Sequence, residues 1–249
     1  MSEGTDALGY RLKVGVVVPS TNTTVQPETD AVRVPGVSFH IGRIPIQERK
    51  ISTDSFLDHV AAMRAGIETA TDQVMTAGVD SLIMGVALEA FWGGLKGSEE
   101  LRTRLEAHAG VPVILGSEAV ADALRAFGAR RIAVLTPHMS KGDAEVRAWL
   151  EEAGFEVAGL TGLECASPRA IAQVPEARIR EALQALDAPE VEALVQVGTN
   201  LAGAAVCAEG ERWLGKPCIS INTVSAWAAL RRAGIEDRVR GRGRIFEEH

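Results

Sequence analysis

Four short loops carry most of the polar side chains that could do chemistry, and each follows directly on an apolar run of the sequence. They cover residues 20–24, 86–89, 138–140 and 198–200. Hydroxyl and amide groups of this kind bind carboxylates, and imidazole and carboxyl groups can move protons near neutral pH. We therefore take these four loops as the candidate functional site.

The first and last of these loops are predicted to bind a carboxylate. Ser20, Thr21 and Asn22 offer hydroxyls, an amide and backbone N–H groups near a predicted helix start, although the same residues would also make an ordinary helix N-cap. Gly198 allows a close backbone approach, and Thr199 and Asn200 add two polar side chains. This loop is predicted to be a second carboxylate or oxyanion cradle, and capping alone would also explain it.

Two titratable residues are candidates for catalytic proton transfer. His138 holds in the second half of the chain the loop position that Ser20 holds in the first, so its imidazole could act as an acid, a base or an oxyanion donor. A histidine that caps the next helix is the alternative. Glu89 precedes Phe91 and Trp92, and burial against them would raise its pKa and suit it to proton transfer. A solvent-facing glutamate in a first helical turn is the alternative there.

Composition excludes several classes of function. The chain has 249 residues, 46% of them apolar, and a formal net charge of -7, so no nucleic-acid partner is expected. No apolar run approaches the roughly 20 residues of a membrane span, and the first residues lack a signal-peptide core, so we expect a cytoplasmic protein with no membrane partner. The aromatic residues Phe91, Trp92, Trp149 and Trp227 could cover subunit surfaces, which makes a homo-oligomer possible.

The cysteines and the glycines argue against cofactors. Cys165, Cys207 and Cys218 form no CxxC pair, so neither a disulfide framework nor a metal site is expected. No P-loop, no GxGxxG after the first apolar run and no GxSxG motif is present. The sequence therefore favours a fold with reduced thiols, no metal and no cofactor, whose partner is a small carboxylate.

The elements that must position the four loops alternate along the chain between strands and helices. Short β-branched runs predict buried strands, and longer stretches with helical periodicity predict helices, as in a mostly parallel sheet covered by helices. The predicted strands are residues 14–18, 81–84, 111–115, 132–135, 193–197 and 218–221. The predicted helices are residues 56–77, 117–127, 141–153, 175–186 and 225–233.

This alternation repeats within the chain. Three pairs of segments resemble each other in the same order: 14–20 and 132–138, 79–83 and 191–195, and 110–128 and 215–234. Any parallel α/β fold could reuse such pieces, but three matches in order favour a duplicated lobe.

We predict an α/β fold of two pseudo-symmetric Rossmann-like lobes, each a mostly parallel four-stranded sheet flanked by helices, with the active-site cleft between them. Lobe 1 is predicted to span residues 1–115, with a C-terminal segment of about 222–249 packing back on it. Lobe 2 is predicted to span residues 116–221.

Several segments resemble the aspartate/glutamate racemase superfamily, in the branch that contains maleate cis-trans isomerase and arylmalonate decarboxylase. They are the sequences VPSTNTT at 18–24 and MGVALEAF at 84–91, the GKP strand from Gly215, Trp227, and GRIF at 243–246. The resemblance spans nearly the whole chain. It implies cofactor-independent chemistry on small acids, in which cysteines of the two lobes move protons or add to the substrate beside a carboxylate-binding cleft.

The resemblance also implies a change of mechanism. The family's two cysteines fall on Ala87 and Gly198, which we expect to line the substrate site, and the family's tyrosine falls on His138. Without those thiols, neither covalent addition to a maleate double bond nor thiol protonation of an enediolate can follow the family's route. Cys165 ends a strand near the expected site and is the thiol that could reach it.

We therefore expect a cofactor-independent enzyme acting on a small carboxylic or dicarboxylic acid, of the isomerase, decarboxylase or lyase type, with His138 or Glu89 moving the proton. One alternative is a catalytically inactive relative that binds a small acid, as a sensor or accessory protein of a catabolic operon. Another is a hydrolase of a cyclic amide, for which no nucleophile is evident.

Overall fold

The computed structural model of the chain describes residues 6–48, 50 and 56–249, and two four-stranded sheets form its framework. The first sheet contains β1 (Leu12–Pro19), β2 (Val37–Ile44), β3 (Ser81–Met84) and β4 (Val113–Leu115) in the order β2-β1-β3-β4. The second contains β5 (Arg131–Thr136), β6 (Glu156–Gly162), β7 (Ala193–Gln196) and β8 (Cys218–Ser220) in the order β6-β5-β7-β8. All their pairings are parallel.

Helices connect and cover these strands. They are α1 (Val25–Asp30), α2 (Phe56–Met75), α3 (Ala87–Phe91), α4 (Gly94–Ala109), α5 (Gly116–Ala126), α6 (Ser140–Glu152), α7 (Pro168–Ala172), α8 (Glu176–Leu186), α9 (Ala204–Leu214), α10 (Ile221–Arg232) and α11 (Arg244–Glu248). Within the described parts of the chain, no helix combines the length and the apolar character needed to cross a membrane.

The central strands are buried on both faces, which is why they read as unbroken apolar runs rather than as alternating patterns. Val14, Val16 and Val17 of β1 have no exposed surface, and neither do Ile132, Ala133 and Val134 of β5. The α/β fold with two parallel four-stranded sheets flanked by helices is therefore confirmed, and so is each of the six predicted strands, to within two residues at their ends.

Two of the four edge strands, β2 and β6, and six of the helices have no counterpart among the predicted ranges. β2 is only partly buried over most of its length, and β6 is partly buried or exposed at all but one position. Such strands lack the continuous apolar run that marks a central strand. The charged helix α4 buries only four of its 16 residues, and only two of these four, Leu101 and Leu105, are apolar side chains, so its apolar period is weak. The five predicted helices are present as α2, α5, α6, α8 and α10.

The two lobes are joined by packing as well as by the chain. α10 follows the last strand of the second sheet, yet it packs against β3 and β4 of the first sheet and against α5. The predicted lobe boundaries stay a prediction. Phe91, Trp149 and Trp227 are buried inside this single chain, so they give no argument for a subunit interface, and the homo-oligomer also stays a prediction.

Candidate functional site

A cleft lies where the carboxyl ends of β1, β3, β5 and β7 face each other, and it and its open mouth together enclose about 770 Å³ of empty space. This is the edge at which open parallel sheets bind ligands. Its walls are mainly apolar, and six of the side chains responsible are Ile46, Met63, Val86, Leu88, Met139 and Ile171. Among the residues that the structure describes, no lysine, arginine, aspartate or glutamate lines the cleft.

Seven of the nine predicted site residues line this cleft, and two do not. The seven are Thr21, Asn22, Ala87, His138, Gly198, Thr199 and Asn200. The structure thus brings together the polar loops of both lobes, as the loop positions after parallel strands predict. Ser20 and Glu89 lie elsewhere.

Asn22 is buried and its side chain is already engaged. Its Oδ1 accepts hydrogen bonds from the backbone N–H groups of Thr24 and Val25, both at 3.0 Å, so it caps the start of α1. Its Nδ2 donates to Thr199 Oγ1 of the other lobe at 3.3 Å. Thr199 in turn donates to the carbonyl of Gly85 at 2.9 Å. The capping role and the cleft-lining position therefore coexist in Asn22.

Asn200 ties the second lobe to the first loop. Its Oδ1 accepts from the backbone N–H of Thr23 at 2.9 Å, and its Nδ2 donates to the carbonyl of Pro168 at 2.8 Å. Its backbone carbonyl accepts from Thr24 Oγ1 at 3.0 Å. Asn22, Thr199 and Asn200 thus form the polar floor of the cleft. Their hydrogen bonds connect the two lobes and fix this floor before any ligand binds.

His138 has a ring nitrogen without a partner. Its Nε2 is fully shielded from solvent and makes no hydrogen bond within the described structure, while the side chain lines the cleft. Burial lowers the pKa of His138 to about 4, so the imidazole is neutral at physiological pH. A neutral imidazole nitrogen in an apolar cleft can accept a proton from a ligand or donate one to it.

The loop that carries His138 is held tightly. Its backbone N–H donates to Thr136 Oγ1 at 3.0 Å, and that hydroxyl donates to the carboxylate of Asp143 on α6. A Cβ on Gly142 would lie 2.9 Å from the Cβ of His138, closer than real Cβ contacts allow. The histidine is therefore positioned by its own loop and by the first turn of the next helix.

Gly198 and Ala87 stand at the ends of β7 and β3, on opposite sides of the cleft. Gly198 has a φ of 125°, and a Cβ there would lie 2.4 Å from Cδ of Pro137. No side chain fits at this position without moving Pro137. Ala87 begins α3 and is buried, and it presents only a methyl group.

Cys165 is the one described cysteine that lines the cleft, because Cys207 and Cys218 are buried elsewhere. Its backbone N–H donates to the carbonyl of Pro137 at 3.0 Å, which brings it beside the His138 loop. Burial raises the pKa of the Cys165 thiol, so it is protonated near neutral pH.

Ser20 and Glu89 have other partners. Ser20 is exposed, and its Oγ exchanges hydrogen bonds with the backbone of Ile46 at 3.1 and 3.2 Å. Glu89 is 4% exposed and forms an ion pair with Nε of Arg64 at 2.8 Å, in a separate groove on the outer side of α3. Burial raises the pKa of Glu89, and Arg64 partly offsets this. The carboxylate is buried rather than solvent-facing, but it does not reach the cleft.

Sequence reasoning missed two polar residues behind the floor, Glu28 and Asn222. Asn222 Nδ2 donates to the carbonyl of Thr199 at 2.9 Å and to Glu28 Oε2 at 2.6 Å. Asn222 comes directly after the predicted strand at 218–221, so it carried the same signal as the other loops, whereas Glu28 follows no predicted strand. The apolar wall residues Ile46 and Met63 also carried no such signal.

The chain resembles known proteins along nearly its whole length. A family model described as arylmalonate decarboxylase matches residues 14–246. The maleate isomerase of Nocardia farcinica is 28% identical over 249 residues, with 97% of each chain covered. The arylmalonate decarboxylase of Bordetella bronchiseptica is 28% identical, covering 94% of this chain and 96% of that protein.

Solved structures share the fold. A mutant of the Nocardia farcinica maleate cis-trans isomerase with a covalently bound succinylcysteine intermediate matches with a TM-score of 0.87 at 28% identity, over 96% of this chain and 99% of that one. A crystal structure of arylmalonate decarboxylase matches with a TM-score of 0.76 at 22% identity, over 95% of this chain and 100% of that one. This chain therefore shares its fold with both kinds of protein.

Proposed function

The chain belongs to the arylmalonate decarboxylase family, and from that premise we propose that it is a cofactor-independent enzyme that moves a proton on a small carboxylic or dicarboxylic acid. The acid would lie in the cleft between the lobes, and the imidazole of His138 would carry the proton. Decarboxylation, the reaction named for one of its relatives, fits such chemistry, because loss of CO2 leaves an enediolate that takes up one proton.

The unpartnered Nε2 of His138 is the observation that carries this proposal. A buried polar atom without a hydrogen bond costs about 1–3 kcal/mol, and native proteins rarely leave one so. Nε2 has almost no exposed surface in this structure, so a ligand in the cleft would supply the missing partner once the His138 ring turns toward it. Because the imidazole is neutral at physiological pH, it can take a proton from a carbon acid or, once protonated, return it to the resulting enediolate.

The shape of the cleft supports an acid with an apolar substituent. The substituent would contact apolar wall residues such as Met63, Leu88 and Ile171, and the carboxylate would lie at the polar floor near Thr21 and Asn200. Hydrogen bonds to a charged ligand are stronger where apolar walls exclude water, which compensates for the lack of a cationic partner on the described lining.

Thiol chemistry of the kind seen in the Nocardia farcinica relative would not operate at the ends of β3 and β7. The Nocardia farcinica structure holds a succinylcysteine, whereas the strand ends of β3 and β7 here carry Ala87 and Gly198. We propose that His138 has taken over the proton transfer and that no covalent thiol adduct forms. Cys165→Ser tests this, because loss of turnover in that variant would show that the one described thiol lining the cleft is required.

The proposal is tested by NMR in D2O with phenylmalonate, methylmalonate and maleate as probe acids. The wild-type protein should incorporate deuterium or form product with at least one of them. His138→Gln should slow that reaction by about 100-fold or more, a typical contribution of a general acid or base. His108→Gln is the matched control, because His108 pairs with Asp72 on the outside of the molecule. Equal rates in the two variants would rule out His138 as the proton carrier.

A second candidate is a catalytically inactive relative that binds a small acid. The observation that favours it is the saturation of the floor, where the side chains of Asn22, Thr199 and Asn200 are engaged with each other's loops. A preformed floor suits binding, and it does not require turnover. A probe acid that raises the thermal unfolding midpoint, with neither deuterium incorporation nor product, would favour this candidate.

A further inference from the structure

A carboxylate lies directly behind the floor of the cleft, at the junction of three helices. Glu28 of α1 accepts a hydrogen bond at Oε1 from the backbone N–H of Ala204, the first residue of α9, at 2.9 Å. Its Oε2 accepts from Nδ2 of Asn222 on α10 at 2.6 Å. Glu28 therefore links the first lobe to two helices that follow strands of the second.

The same amide reaches the cleft. Nδ2 of Asn222 also donates to the carbonyl of Thr199 at 2.9 Å, so its two N–H bonds point one at Glu28 and one at the floor loop. Asn222 is 4% exposed and Thr199 8% exposed, so water does not compete freely for these bonds. The orientation that Glu28 imposes on Asn222 is thus passed to the backbone of a cleft-lining residue.

We propose that Glu28 is a positioning residue for the cleft: its carboxylate, acting through Asn222, holds the Thr199 loop in its ligand-binding position, and protonation of that carboxylate weakens the hold. Its effect on ligands rests on the proposed function, because it presumes that the cleft binds an acid. Neither Glu28 nor Asn222 lines the cleft.

Ionisation matters here because both bonds to Glu28 are charge-assisted. A carboxylate accepts N–H bonds roughly twice as strongly as a neutral acid does, and the N-terminus of the 11-residue helix α9 favours a negative charge. Burial raises the pKa of Glu28 to about 7, against the opposing effects of Asn222, the Ala204 N–H and the charge of Arg242. Among the described residues, the thiol of Cys207 also interacts electrostatically with Glu28, and its pKa is raised well above its usual value.

Two titratable side chains that line the cleft do not change their protonation state near neutral pH. The pKa of His138 is lowered to about 4, and the pKa of Cys165 is raised. A change in acid binding between about pH 6 and 8 that is absent in Glu28→Gln is therefore assigned to Glu28. The direction of that change distinguishes two effects of Glu28. Simple repulsion between two anions would make acid binding stronger at low pH, whereas loss of positioning makes it weaker.

NMR titration tests the positioning without any ligand. In the wild-type protein, the backbone amide resonances of Ala204 and Thr199 should both shift with one midpoint near pH 7. Glu28→Gln should abolish both titrations, because a Gln side chain has no charge and can accept only one of the two bonds. Asn222→Ala should preserve the titration of Ala204 and abolish that of Thr199. Glu190→Gln, at an exposed position, is the control and should leave both titrations unchanged.

The effect on binding is measured by calorimetry with phenylacetate, whose carboxyl stays ionised over this pH range. Wild-type affinity should fall by about fivefold between pH 8 and 6, at the low end of the coupling found between linked sites. Glu28→Gln should bind weakly at both pH values. Thr199 resonances that do not titrate, or an affinity that rises on acidification, would overturn the positioning role. Failure of phenylacetate to bind at all, with the NMR titrations as expected, would count against the proposed function and not against this role.

Discussion

Replacing Gly198 with alanine is expected to destabilise the protein much more than the same replacement at Gly110. Both glycines have a positive φ, 125° and 70° respectively. A Cβ at Gly198 would lie 2.4 Å from Cδ and 2.6 Å from Cγ of Pro137, whereas a Cβ at Gly110 would meet nothing within 4 Å. The two variants therefore differ in the steric clash, and the φ of Gly198 adds further backbone strain because it lies outside the left-handed helical region that Gly110 occupies.

The magnitude follows from these contacts. A non-glycine residue at positive φ costs about 1–2 kcal/mol, which applies to both positions. Forcing an extra methyl group into a packed site adds about 1–3 kcal/mol, which applies only at Gly198, because the ring of Pro137 cannot rotate away. We expect about 1 kcal/mol for Gly110→Ala and about 3 kcal/mol for Gly198→Ala.

Urea unfolding followed by circular dichroism measures both free energies. Equal destabilisation of the two variants would refute the reasoning, since it would mean that the Pro137 side gives way freely. Gly198→Cys carries the same clash, so restoring a thiol at this strand end is expected to displace Pro137 and, with it, the adjacent His138. A Gly198→Cys variant as stable as wild type would contradict that expectation.

Three further results are expected from the contacts of the site. The pKa of His138 is about 4 in the folded state and near 6.5 in the unfolded state, so the unfolded state binds more protons between these two values. The unfolding free energy should therefore fall by at most about 3 kcal/mol when the pH is lowered from about 6.5 to 4. Urea unfolding curves at several pH values measure this dependence, and His138→Gln should remove it. Asn22→Ala should cost about 1 kcal/mol through the lost cap of α1 and weaken binding of a probe acid, whereas Asn22→Asp should keep the cap and still lose binding by charge repulsion, as calorimetry would show. Arg64→Ala should lower the free energy of unfolding by about 3 kcal/mol, because it leaves the buried Glu89 carboxylate unpaired. The double variant with Glu89→Gln should recover part of this loss. If urea unfolding shows no recovery, the ion pair is not the cause.

The fold could be predicted where buried strands produce continuous apolar runs in the sequence. Val14–Val18 and the equivalent run at residues 132–135 are buried on both faces, so they contain no polar interruption. The edge strand β2 carries His40 and Arg43 among its apolar residues, because part of its surface faces away from the core. Its place depends on pairing with β1, a non-local interaction that no short window of sequence contains.

The site was predictable to the level of loops and not of side-chain partners. The rule that ligands meet the carboxyl ends of parallel strands found the loops of Asn22, His138 and Thr199. It could not show that Glu89, one helical turn beyond β3, points to the outer side of α3 and pairs with Arg64. Nor could it find Glu28, whose importance comes from Asn222, 194 residues further along the chain.

The packing of α5 against α10 has a consequence for how the chain could be divided. Gly116 follows β4 and Ile221 follows β8, so they are equivalent positions of the two lobes, and they touch: a Cβ on Gly116 would lie 2.7 Å from Cδ1 of Ile221. Equivalent residues that meet in this way are what a twofold axis produces in a symmetric dimer. The single chain thus contains, in covalently linked form, the counterpart of an isologous subunit interface. If the backbone were cut after α5, we expect assembly to become bimolecular, with a thermal midpoint that rises with protein concentration.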